Sequence, residues 1–192
     1  MKKVMFMILA CVFISGIAYA AEDAGKGVSI DFSVNWGFGN KDIYPSSLFR
    51  GTGGFELGAN VDFKTLGIDV GSLKGIKLQG RASISYYDWK GDFGNKDEYR
   101  RIPLFVGMRG AVPLFTKHVT VYGQIGPEVS FDHQEDYMGG RKVSDTDEVR
   151  VGITPGAGIL FNISRVSLGL GFNYHFIKDP FSSFGLIIGY NF

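Results

Sequence analysis

From Gly27 the chain alternates. Val28, Ile30, Phe32, Val34, Trp36 and Phe38 take every second position, and Ser29, Asp31, Ser33, Asn35, Gly37 and Gly39 fill the places between. A two-residue period is that of a strand with one apolar face. This run is as long as a tilted strand needs to cross a bilayer, about 9 to 11 residues. The same period predicts strands over about Gly54–Lys64, Gly75–Tyr87, Tyr99–Val112, Val119–Phe131, Val149–Phe161, Val166–Ile177 and Phe184–Phe192. Loops are predicted at Asn40–Gly53, Asp88–Glu98 and Asp132–Glu148, the last with a Gly139-Gly140 tip. Shorter turns are predicted at Thr65–Lys74, Pro113–His118, Asn162–Arg165 and Lys178–Ser183. The eighth strand ends the sequence with Phe184, Leu186, Ile188, Tyr190 and Phe192 on one face. So apolar an edge invites pairing with other chains unless the first strand of the same chain covers it.

Eight strands with both ends on one side predict an all-β fold: an eight-stranded antiparallel up-and-down transmembrane β-barrel. The apolar faces then point outward, and their aromatics fall into two belts. Trp36, Phe38, Phe55, Tyr86, Phe131, Tyr174, Phe176 and Phe184 form the upper one, and Phe63, Phe115, Phe161, Tyr190 and Phe192 the lower. Between them the outward positions are read as Val, Ile, Leu, Ala and Met. A soluble sandwich or lipocalin-like barrel would instead bury the apolar face and solvate the other.

Residues 1–20 predict a cleaved export signal: Lys2 and Lys3, an apolar run from Val4 to Ile17, then Ala18-Tyr19-Ala20 before acidic Glu22 and Asp23. The barrel domain is 21–192. Ile8-Leu9-Ala10-Cys11 has the look of a lipobox, but the run before Cys11 is short and the run after it stays apolar. Cys11 is the only cysteine, so the mature chain has no disulfide or thiol chemistry. A net charge of +1 gives no reason to expect nucleic acid or a polybasic membrane anchor.

Eight strands enclose a space that side chains fill. The inward residues are unevenly distributed. Asp31, Glu56, Asp62, Lys64, Lys77, Arg81, Arg101, Arg109 and Glu128 come from the first five strands. The last three bring Gly152, Gly156, Gly158, Gly169, Gly171, Gly185 and Gly189. Buried charges need partners, so the expectation is an ion-paired plug of Asp31, Glu56, Asp62, Lys77, Arg81, Arg101, Arg109 and Glu128 filling the space beside the glycine wall. The alternative is a narrow porin-like path for ions or small solutes along that wall. Pro127 and Pro155 fall inside strands and predict a bulge.

No enzyme activity and no cofactor or resident metal is expected. His118 lies in a turn, His133 in the long loop and His175 inside the barrel; none is on the outward face, where lipid-directed catalysis would need a nucleophile, a histidine and a carboxylate to converge. The long loop gathers His133, Glu135, Asp136, Asp145, Asp147 and Glu148 against Arg141 and Lys142. A divalent cation or a cationic partner would suit it, although no spacing matches a calcium loop.

Val121-Tyr-Gly-Gln-Ile-Gly126, Gly156-Ala-Gly158, Val166-Ser-Leu-Gly-Leu-Gly-Phe-Asn-Tyr174 and Gly189-Tyr-Asn-Phe192 carry a resemblance to the outer-membrane protein beta-barrel domain family, the small OmpA/OmpX-type barrels called porin family proteins. The resemblance implies a location in the bacterial outer membrane, among lipid and lipopolysaccharide. It also implies that Phe184, Leu186, Ile188, Tyr190 and Phe192 are the segment read by the outer-membrane assembly machinery. Function is then expected in envelope integrity or in an extracellular ligand held by the loops. The cell-wall anchoring of two-domain relatives is not expected to carry over, since the sequence as read shows the barrel without a peptidoglycan-binding domain.

Overall fold

The computed structural model describes residues 27–39, 52–63, 76–90, 98–114, 118–138 and 141–192. The signal segment, Lys64, Phe115, the Gly139-Gly140 tip and the loop and turn residues 40–51, 64–75 and 91–97 lie outside the described residues. Ten strand segments follow one another: β1 (Val28–Gly39), β2 (Thr52–Asp62), β3 (Lys77–Lys90), β4 (Glu98–Leu114), β5 (Val119–Ile125), β6 (Pro127–Met138), β7 (Arg141–Ile153), β8 (Gly156–Ile163), β9 (Val166–His175) and β10 (Phe181–Asn191). β5 and β6 are one stave interrupted at Gly126, and β7 and β8 one stave interrupted at Thr154-Pro155. The ten segments therefore make eight staves, as the alternation predicts.

Every stave pairs antiparallel with its chain neighbour, and β10 returns to β1 from Ser29↔Asn191 to Gly39↔Phe181, closing an all-β, eight-stave barrel. Closure covers the apolar edge of β10 with β1, while β7 above its Ile153↔Phe176 bridge pairs, among the described residues, with β6 alone. The β8–β9 turn is tight, with Ser164 in the left-handed region at φ 57°.

The interruptions at the two prolines differ from the expected bulge. Along β4 the partners run Phe105↔Glu128 and Met108↔Ile125, and between the fifth and sixth staves Gln124↔Gly156 and Pro127↔Ile153. The register is unchanged on either side, so no residue is inserted. Two rungs are missing because proline has no N–H to give the ladder, and the gap is bridged from Thr154 N to Gly126 O (2.9 Å).

A second correction concerns Asp132–Glu148, expected as a loop. It is a paired hairpin: β6 and β7 stay laddered from Pro127↔Ile153 to Met138↔Arg141, with one register shift at Asp136/Tyr137. Likewise Asp88, Trp89 and Lys90 extend β3, and Glu98 opens β4.

The barrel is apolar outside and polar inside. Phe32, Val34, Trp36, Val106, Val151, Leu186 and Ile188 are exposed, while Asp31, Asn60, Arg101, Arg109, Glu128 and Ser130 are buried. The belts form in part through direct ring contacts, Phe55 on Tyr86 and Tyr174 on Phe176 above, Tyr190 on Phe192 below. Phe32, paired with Ile188 and Leu57, stands between the belts as an aromatic where only aliphatic residues were expected.

Candidate functional site

The buried lumen holds three polar clusters. In the first, Arg81 from β3 reaches Asp31 on β1 with Nη1 to Oδ2 at 2.6 Å and Nη2 to Oδ1 at 2.9 Å, and its Nη2 also bonds Glu56 on β2. Asn60 donates to Asp31 (2.9 Å) and accepts from Arg81 (3.0 Å). Arg109 lies 3.5 Å from Asp31, donates to Gln124 at 3.0 Å, and spreads its guanidinium 4.0 Å from the centre of the Tyr122 ring. Two carboxylates and two guanidiniums thus neutralise one another, which is the condition for keeping charge out of water.

In the second, the carboxylate of Glu128 accepts from Thr154 at 2.6 Å and lies 2.6 Å from His175 Nδ1, while His175 Nε2 lies 3.2 Å from Ser183 Oγ. Ser, His and Glu stand in the order of a hydrolytic relay. All three side chains face the lumen and are almost wholly buried, so the relay meets neither lipid nor solvent.

In the third, Arg101 holds Asp132 with Nε to Oδ1 at 2.9 Å and Nη2 to Oδ2 at 2.8 Å, and Arg150 adds a contact to Asp132 at 3.1 Å. Tyr99 bonds both partners, and Arg101 donates to the Asp179 carbonyl at 3.2 Å. Above them Tyr87, Trp89, Tyr99 and Phe181 pack as a buried aromatic lid. His175 stacks flat on Phe181, with centroids 3.9 Å apart, and the Arg101 guanidinium sits 5.0 Å from the same ring.

The eight residues expected in one network are therefore divided. Asp31, Glu56, Arg81 and Arg109 meet; Glu128 joins His175; Arg101 joins Asp132, which alternation alone had left in a loop. Asp62 and Lys77 pair at 2.9 Å at the far rim, with Lys77 more than half exposed. The glycine wall is filled chiefly by neutral groups. A Cβ at Gly158 or Gly171 would stand 2.5 or 2.7 Å from the Tyr122 hydroxyl, one at Gly185 would strike Asn35, and one at Gly156 would strike Asn173. Among the described residues, two cavities of ~10 Å³, each room for about one water, are both lined by Glu56, Gln124 and Asn173.

The carboxy-terminal Phe184, Leu186, Ile188, Tyr190 and Phe192 all point outward from β10. His118 is exposed near the Asn162 carbonyl.

A closed eight-stave barrel with an apolar exterior and a hydrogen-bonded polar interior has the fold of the small outer-membrane barrels. Solved structures of that fold agree. The attachment invasion locus protein Ail of Yersinia pestis superposes with a TM-score of 0.55 at 15% identity, covering 87% of this chain and 97% of that one. It has also been solved with the heparin analogue sucrose octasulfate. The N-terminal barrel domain of Pseudomonas aeruginosa OprF gives 0.51 at 9% identity (88% and 100% covered), and the outer-membrane enzyme PagL gives 0.50 at 14% (84% and 99%). No family model matches the chain, and no curated protein is significantly similar in sequence.

Proposed function

We propose that this chain is an integral outer-membrane protein whose lumen is closed by ion pairs and the aromatic lid, and which acts in envelope integrity or surface interaction through the side bearing the β6–β7 hairpin. The observation that carries the reading is the inverted distribution of polarity: charged residues such as Arg101 and Glu128 are 1% exposed, while Val106 and Val151 are more than 60% exposed. Only a hydrocarbon surround makes that favourable, at about 25 cal/mol per Å² of apolar surface kept from water. Export follows from the signal at 1–20 and cleavage after Ala20, which N-terminal sequencing of the mature protein tests. Outward Phe192 and Tyr190 on the closing strand suit recognition by the assembly machinery; Phe192→Ser is expected to lower the folded yield in cells and leave refolding in detergent unchanged.

The test of the whole reading is gel mobility of the detergent-folded protein, unheated against boiled. A heat-modifiable band supports a membrane barrel, and solubility without detergent refutes it. The narrow-channel reading draws on one observation, two small lumen cavities, one of them lined by Gly171 and Gly185 of the glycine wall. Reproducible conductance steps from pure protein in planar bilayers would establish it in place of the closed lumen.

A further inference from the structure

The β6–β7 hairpin presents a four-residue rectangle on its outward face. Two rungs beyond the outward pair Phe131↔Val149, His133 faces Asp147, and two rungs further Glu135 faces Asp145. A period of two puts all four on one side, so successive same-face pairs supply an imidazole and three carboxylates. One ligand atom each from His133, Glu135 and Asp145 lies within 4.8 Å of the others.

Two features make this more than a solvated charge run. His133 is held between carboxylates at both ring nitrogens: Nδ1 lies 2.7 Å from Asp147 and Nε2 2.9 Å from Glu135, and its side chain is only 12% exposed although it stands outside the barrel. Two N–H groups are present only when the imidazole is protonated; once it is neutral, one nitrogen presents a lone pair beside a carboxylate, the arrangement a metal cation fills. The second feature is that the cluster already holds a cation of its own. Lys142 Nζ lies 2.6 Å from Asp145 and 3.2 Å from Glu135, marking the point where positive charge is best solvated by these oxygens.

We infer that this hairpin face is a binding site for one divalent transition-metal ion of the zinc class, ligated by His133 Nε2, Glu135 and Asp145. Asp147 is the orienting partner: it accepts the Nδ1–H of His133, the carboxylate–histidine pairing that fixes the tautomer of metal-bound imidazoles. Imidazole with carboxylates suits zinc, whereas calcium would take oxygen ligands alone. Lys142 is a tethered competitor, whose ammonium leaves the Glu135 and Asp145 oxygens when the ion enters. The site does not depend on the lumen being closed, nor on the chain's cellular location.

The test is Zn²⁺ titration of the detergent-folded full chain against a chromophoric chelator, with the unheated gel band confirming the fold of each variant. One equivalent is expected to bind. His133→Ala and Asp145→Asn are each expected to weaken it by about tenfold or more, and Lys142→Met is expected to tighten it. Absence of stoichiometric Zn²⁺ binding overturns the site, as does unchanged affinity in His133→Ala, which would place the ion elsewhere, or unchanged affinity in Lys142→Met, which would show that the ammonium does not share its position.

Discussion

Asp31 on β1 and Arg81 on β3 form their paired hydrogen bonds across Gly58 of the intervening β2, and a Cβ at Gly58 would collide with the Asp31 carboxylate and with both terminal nitrogens of Arg81. The glycine is the opening through which two non-adjacent staves are tied. Removing the cation leaves two buried carboxylates, Asp31 and Glu56, against the single guanidinium of Arg109. Arg81→Met is expected to lower barrel stability by about 3–5 kcal/mol, read from urea unfolding in lipid vesicles. Adding Glu56→Gln, which leaves Asp31 balanced by Arg109, should restore much of the loss; a double variant as unstable as the single one would contradict this account.

At Gly171 the space is shaped by Tyr122. A methyl group there would come within 2.7 Å of the Tyr122 hydroxyl and 3.0 Å of Ile187 Cδ1, both at the ends of side chains. Gly171→Ala is expected to cost ~1–3 kcal/mol by overpacking. Tyr122→Phe in the same chain should recover part of it, and the recovery is what the unfolding midpoints must show.

The alternation displayed the staves because lipid requires an unbroken apolar face along the whole crossing. It lost them where that requirement ends. Above Phe131 and Val149 the hairpin needs only hydrogen bonds and cross-strand pairs, so His133, Glu135, Asp145 and Asp147 conceal a strand behind loop-like composition. The same applies to Trp89, which sits on a paired strand but borders a charged stretch, and which turns inward to build the lid with Tyr99. Which charges meet was equally invisible. Arg101 finds Asp132 because β4 and β6 bring them level, a fact of register between distant segments.

The aromatic lid has a testable consequence for conductance. Phe181 touches Tyr87, Trp89, His175 and the Arg101 guanidinium, so it is the common neighbour of the upper seal. Wild-type protein is expected to be silent in planar bilayers. Phe181→Ala combined with Arg101→Ala is expected to give discrete openings; silence from a folded double variant would place the seal lower in the lumen.

The hairpin carries a pH dependence. Hydrogen bonds from His133 first, then Tyr137 and Lys142, hold the Glu135 carboxyl down from 4.5 to about 2. A depressed carboxylate stabilises the fold above its unfolded value and loses that contribution as pH falls through the folded one. The hairpin contacts are therefore expected to survive at pH 4 and to loosen toward pH 2. A carboxyl-carbon NMR titration of Glu135 with a midpoint near the ordinary 4.5 would refute this, and Glu135→Gln should remove the transition.

The missing rungs at Gly126-Pro127 and Thr154-Pro155 lie side by side on adjacent staves. The β3–β4 ladder has a like gap between Ile84↔Leu104 and Tyr87↔Arg101, at Pro103. Above these gaps β6 stays laddered to β4 from Phe105↔Glu128 to Glu98↔Glu135, whereas β7 from Arg141 to Gly152 pairs, among the described residues, with β6 alone. The other side of β7 is a row of backbone N–H and C=O groups with no partner strand among the described residues, an edge by which one chain can add to the sheet of another.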